Sequence, residues 1–165
     1  METAHDLVKK QFLIRLNDKD FRNLCQVDKS FANLCSGPSS EDVYYERSKW
    51  WFGENLLQFR ESNMTWKEFY NRISDFINKE NGDYYIYKLY KNGKLMEIKI
   101  LYYMKINPSE SEVNISAERG QLQVLKWAAL LNPPILPNKN GALCAGENGY
   151  TEVVIWLVEK GIYPT

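Results

Sequence analysis

The chain has 165 residues, 44% of them hydrophobic and 14% aromatic, and its 21 basic and 21 acidic side chains cancel. That is apolar surface enough for one domain, or for two small modules sharing a core. The zero net charge argues against a dedicated nucleic-acid binder, whose affinity comes mainly from phosphate neutralisation.

Residues 4–35 read as three short helices. Leu7, Val8, Phe12, Leu13 and Leu16 line the first, which stops at Asn17-Asp18. Asp18 or Asp20 can cap the second, with Phe21, Leu24 and Cys25 on one face. Val27, Phe31, Leu34 and Cys35 space as a third face, ended by Ser36-Gly37-Pro38. Ser39 and Ser40 precede a fourth helix through Tyr44 to Trp51, with Gly53 as its stop. From Trp66 to about Lys79 the apolar residues step at three and four. Thr65 and Glu68 form a capping box there, Met64 can staple onto Phe69, and Asn81-Gly82 closes the helix.

The period then turns alternating. Tyr84–Lys91 and Lys94–Met104 are aromatic and β-branched, and Asn92-Gly93 between them suits a type I′ turn, so a β-hairpin is expected. Ser109 and Glu112 look like another capping box, opening a helix to about Arg119. Gly120 turns the chain into Leu122–Leu131, which Asn132-Pro133-Pro134 terminates. A second helix pair follows, with Gly149 at its turn and Gly161 past its end.

Little here suggests chemistry. The only histidine is His5, near the terminus, too poorly held for a triad or Cys-His dyad. Cys25, Cys35 and Cys144 lack CxxC spacing and sit in apolar patterns, so reduced, buried thiols are expected, with no zinc site. Glu110, Glu112 and Glu118 suit a helix N-terminus electrostatically, and no glycine loop is built for phosphate. No cofactor, metal or catalytic residue is expected. No apolar run approaches the roughly 18 residues that cross a bilayer, and no signal leader is recognisable, so an intracellular protein without membrane contact is expected. Lys88, Lys91, Lys94, Lys99 and Lys105 among tyrosines leave one nucleic-acid reading open for the hairpin. Protection of an exposed sheet edge is the simpler use for them.

The strongest pattern is a repeat. Ala117-Glu118-Arg119-Gly120-Gln121-Leu122-Gln123-Val124-Leu125-Lys126-Trp127 matches Gly146-Glu147-Asn148-Gly149-Tyr150-Thr151-Glu152-Val153-Val154-Ile155-Trp156 at an offset of 29 residues. Fixed offsets of that size mark stacked helix pairs that bury their apolar faces only against neighbours. Trp127 and Trp156 fall on corresponding outer-helix positions, either packing repeat on repeat or serving as recognition anchors.

On these residues the C-terminal third resembles ankyrin repeats, in the spelling common among large DNA viruses that infect amoebae. It departs from them in lacking Thr-Pro-Leu-His, with Asn140-Gly141-Ala142-Leu143-Cys144 near that place, and in its shorter spacing. Leu7 to Leu16 followed by Asp18–Phe31 resembles the second half of an F-box, although the Leu-Pro that opens many F-boxes is absent. Thr65–Tyr70 resembles the segment joining F-box to ankyrins in such viral proteins.

The expected architecture is mainly α with one β-hairpin: an F-box-like helical module at 1–53, a connector with an amphipathic helix and the hairpin at 54–107, and two ankyrin-like repeats at 108–165. The resemblance implies a non-enzymatic interaction protein, acting in the host cytoplasm if viral. Its N-terminal helices would dock a Skp-type adaptor of a cullin ubiquitin ligase while the repeats hold a target. A self-associating viral scaffold is the alternative, with a homodimer through the last repeat. Candidate contact residues are Leu7, Phe12, Leu16 and Phe21 in the first module, and Trp127 and Trp156 in the repeats.

Overall fold

A computed structural model describes residues 2–79 and 82–165. All regular structure among the described residues is helical, twelve helices that fall into two units, one ending at Asn78 and the other spanning Lys79–Thr165.

In the first unit α1 (Ala4–Arg15) starts at a capping box between Thr3 and Asp6. α2 (Asp18–Val27) is capped by Asn17, not by Asp18 or Asp20: the Asn17 side chain accepts from the Asp20 N–H at 2.9 Å. α3 (Lys29–Ser36) is capped by Asp28, whose carboxylate accepts from the Ser30 N–H at 2.8 Å. Val27 therefore closes α2 and does not join the face of α3; it is 81% exposed. α4 (Ser40–Phe52) stops at Gly53, where φ is +84°. The short α5 (Glu54–Leu57) follows, then α6 (Trp66–Asn78), opened by the expected box in which Thr65 N–H reaches Glu68 at 2.8 Å and Glu68 N–H reaches Thr65 Oγ1 at 3.2 Å. The Asn81 of the expected helix stop lies outside the described residues.

α4 is the centre of this unit, with α1, α3 and α6 packed on it. Leu13, Phe21, Leu34, Val43, Tyr44 and Tyr70 make the core. Burying such a side chain is worth about 1.5–3 kcal/mol. Cys25 and Cys35 are joined in a disulfide with their Cα atoms 5.8 Å apart, which corrects the expectation of free thiols at both; Cys144 alone stays free. The turn at Asp28 folds α2 back on α3 and brings the two residues within bridging distance. Spacing along the chain does not reveal that approach.

The second unit corrects the hairpin. Residues expected to form two strands form two helices, α7 (Asp83–Lys91) and α8 (Leu95–Tyr103). They are followed by α9 (Glu110–Glu118), α10 (Leu122–Ala129), α11 (Lys139–Glu147) and α12 (Thr151–Glu159). The region is therefore three helix pairs, where one strand pair and two helix pairs were expected. α7, α9 and α11 stack in a row, and each packs on its own following helix. The β-propensity of the aromatic and branched residues loses to burial, because Leu89, Tyr90, Met96, Ile98, Ile100 and Leu101 are all buried. The Asn-Gly signal is shared by both outcomes. A type I′ turn and a helix C-terminus both require a left-handed residue, and Gly93 supplies it at φ +65°.

The three turns are built alike. Gly93, Gly120 and Gly149 have φ of +65°, +73° and +79°. The residue after each glycine donates its N–H back to the helix, Lys94 to Leu89 O at 2.9 Å, Gln121 to Ser116 O at 2.8 Å and Tyr150 to Ala145 O at 2.9 Å. Gly93 and Gly120 stand 27 residues apart and Gly120 and Gly149 stand 29 apart, so the repeat starts one unit earlier than its spelling showed.

Candidate interaction surfaces

The end of α1 is held from α4. Without glycine or a following cap, the last carbonyls of α1 need donors. Arg47, wholly buried, supplies them: Nη1 donates to Leu13 O at 2.5 Å and to Leu16 O at 2.7 Å. Trp51 Nε1 donates to Ile14 O at 3.0 Å. The Arg47 Nη2 then donates to Asp18 Oδ1 at 2.9 Å and to the Tyr70 hydroxyl at 2.7 Å. The guanidinium stacks 4.1 Å from the Phe21 ring centroid. Asp18 also accepts from Tyr70 OH, and from Ser74 Oγ at 2.5 Å. Burial pushes the Asp18 carboxyl up, but hydrogen bonds from Ser74, Tyr70 and Arg47 together outweigh it and hold its pKa below the usual range. Burial raises the Tyr70 phenol, with the Asp18 hydrogen bond adding to it. A cleft of about 400 Å³ opens beside this network, lined by Asp18, Trp51, Phe52, Tyr70, Ser74 and Ile77. Its carboxylate is engaged by three internal donors, and the network ties α1 and α6 to α4.

Pinned in this way, α1 turns Leu13 and Ile14 into the core and leaves Leu7, Val8 and Phe12 on the surface. Leu7 is 51% and Phe12 54% exposed. Phe12 leans toward Phe31 of α3 at 6.4 Å between ring centroids, and Lys9 Nζ sits 5.5 Å over the same Phe31 ring. Of the expected contact residues in this unit, Leu7 and Phe12 share this face. Leu16 is half-buried against the core and Phe21 is buried within it. Val8, beside Leu7 and one turn before Phe12, belongs to the face although the sequence reading did not single it out as a contact.

In the second unit Trp127 and Trp156 are both half-buried against the cluster formed by Val113, Ala117, Leu125, Ala128, Ala142, Ala145, Val153 and Leu157. Trp127 meets Tyr102 of the preceding pair edge-on at 5.7 Å, and Lys160 Nζ lies 5.7 Å over the Trp156 ring. Trp127 thus touches the preceding pair, and Trp156 packs against the cluster. Polar contacts follow the same direction along the stack. Ser116 Oγ donates to Tyr90 O at 3.1 Å, Gln121 Nε2 to Lys91 O at 3.0 Å, and Asn148 Nδ2 to Glu118 O at 3.0 Å. Asn114 accepts from the Asn138 N–H at 2.9 Å. The Tyr90 phenol is driven up by burial, with the Glu112 charge adding to it.

The lysines assigned to a hairpin lie on α7, α8 and their turns, so the strand surface on which bases were to stack does not exist. His5 is exposed on α1. Among the described residues no group of three or more His, Cys, Asp or Glu is placed to hold a metal ion, and no helix is long and apolar enough to cross a membrane. No protein-family model, no curated protein and no solved structure matches the chain.

Proposed function

We propose that this chain is a non-enzymatic interaction protein, with one contact surface on α1 and another on a stack of three ankyrin-like helix pairs. The observation that carries the reading is the threefold turn of the second unit. Units of that kind bury their apolar faces against each other and present the remaining surface to another macromolecule. In the first unit, exposed Leu7, Val8 and Phe12 on a helix anchored from behind by Arg47 suit an F-box-like contact with a Skp-type adaptor. Buried Phe21 would support that contact without touching the partner. The ligase would supply the chemistry, and this chain would hold a target near it.

The test is a pull-down of the full chain with a purified Skp-type adaptor, beside Leu7→Asp and Phe12→Asp variants. Capture by the parent and its loss in both variants is expected. A parent that fails to bind removes the adaptor reading and leaves the viral scaffold. Intracellular action, in a host cytoplasm if viral, belongs to the same proposal, and there the Cys25–Cys35 bond would face reduction.

A further inference from the structure

The Cys25–Cys35 bond stands in the wall of a second cleft of the first unit, with a volume of about 230 Å³. Phe21, Arg22 and Cys25 of α2 line it together with Cys35 of α3, Tyr44 of α4 and Lys67 of α6. The two half-cystines are not equally open. Cys25 is half-buried, whereas Cys35 keeps only 6% of its surface. Thiol–disulfide exchange depends on which sulfur an attacking thiolate can reach, and here that is Cys25.

The charge around the bond has one sign. Arg22 stands three residues before Cys25 on α2, a spacing that puts both on one side of the helix. Lys67, in the first turn of α6, holds its Nζ 5.9 Å from the centroid of the Tyr44 ring. Both cations are exposed, and no Asp or Glu is among the described residues that line the cleft. Glu41 lies close to this end of α6, but it accepts from the backbone N–H of Trp66 at 2.7 Å and of Lys67 at 3.4 Å. Neither Arg22 nor Lys67 forms an ion pair among the described residues. Two cations without carboxylate partners therefore border a disulfide that is open on one side.

We propose that this cleft admits a small anionic thiol, which opens the Cys25–Cys35 bond from the Cys25 side. The incoming thiolate attacks Cys25 Sγ and forms a new S–S bond there. The Cys25–Cys35 bond breaks, its electron pair leaves on Cys35 Sγ, and Cys35 then takes a proton from water. A second molecule of the thiol, attacking its own sulfur in the mixed disulfide, releases Cys25 and departs as the oxidised dimer. The two electrons gained by the protein come from those two thiols. Arg22 and Lys67 draw the anion in and stabilise negative charge in the cleft during the exchange.

The experiment mixes the unreduced full chain with glutathione, mercaptoethanol or cysteamine, which are anionic, neutral and cationic thiols, and quenches each reaction with iodoacetamide. Peptide masses at early times should place glutathione on Cys25, with Cys35 alkylated. Comparing each thiol on the parent and on the Arg22→Gln/Lys67→Gln chain cancels the thiol's own nucleophilicity. The double substitution should slow glutathione at least about fivefold, leave mercaptoethanol within about twofold and speed cysteamine. On the parent alone, added salt should slow glutathione and speed cysteamine, a readout that needs no variant to fold. Glutathione found on Cys35, one common change for all three thiols in both arms, or a glutathione rate indifferent to salt overturns the proposal.

Discussion

Replacing Asp18 by Asn tests the Arg47 network most directly. The change keeps an acceptor for Tyr70 and Ser74 but removes the charge opposite a guanidinium with no solvent exposure. Breaking one side of a buried pair costs about 3–5 kcal/mol. Asp18 retains 28% side-chain exposure, so water compensates part of the loss and the lower end, about 3 kcal/mol, is expected. For a unit of this size that corresponds to a Tm lower by more than about 10 °C. The effect should depend on pH in one direction. The folded-state pKa of Asp18 lies below its unfolded value. Its contribution is therefore fully present above the unfolded carboxylate pKa of about 3.9 and is lost as pH falls through the folded value. Thermal melts of parent and Asp18→Asn at neutral pH should differ widely, and the gap should narrow steadily below about pH 4. A double-mutant cycle with Arg47→Met should return a coupling above about 1 kcal/mol. Equal melts at neutral pH, or a gap of constant size down to acid, would refute the reasoning.

Glycine substitutions should separate conformational strain from packing. Gly149→Ala carries only the left-handed penalty of about 1–2 kcal/mol, whereas Gly120→Ala must also displace the Tyr150 ring and should cost visibly more by urea denaturation. Lys105 is the one described non-glycine residue with positive φ, at 69°, closing α8 as Gly161 closes α12. Lys105→Gly should therefore stabilise by about 1 kcal/mol, and an unchanged or lower urea midpoint would contradict this. Alkylation of the unfolded, unreduced chain should modify Cys144 alone, and reduction should lower the unfolding free energy by about 2–3 kcal/mol for a closed loop of this length. Three modified thiols without reductant would disprove the bond.

Several helix boundaries were legible from local chemistry, although the equally local caps at Asn17 and Asp28 were not. The boxes at Thr65/Glu68 and Ser109/Glu112, and the stops at Gly53, Gly120 and Gly149, need only residues within one turn to find their partners. The 29-residue repeat was equally readable, because each unit repeats its own turn. The exposed face of α1 was half legible. Leu7 and Phe12 were expected to meet a partner, but nothing local distinguished them from Leu13 and Ile14, which the fold buries.

Tertiary structure decided the rest, through groups brought together from far along the chain. Residues 84–104 have the composition of strands and become helices because their neighbours in the stack bury them, and burial outweighs a β-preference of at most about 1 kcal/mol per residue. Arg47, which nothing in the sequence of the fourth helix singled out, is buried because the unpaired end of α1 and the Asp18 carboxylate converge on it from 29 or more residues away. Cys25 and Cys35 are paired by a fold-back at Asp28. The turn at Gly149 is spelled like those at Gly93 and Gly120; only the packing shows that Gln121 and Tyr150 crowd those two, while a Cβ on Gly149 would meet nothing within 4 Å. Short-range hydrogen bonds are written into adjacent residues, whereas desolvation depends on which distant surfaces meet.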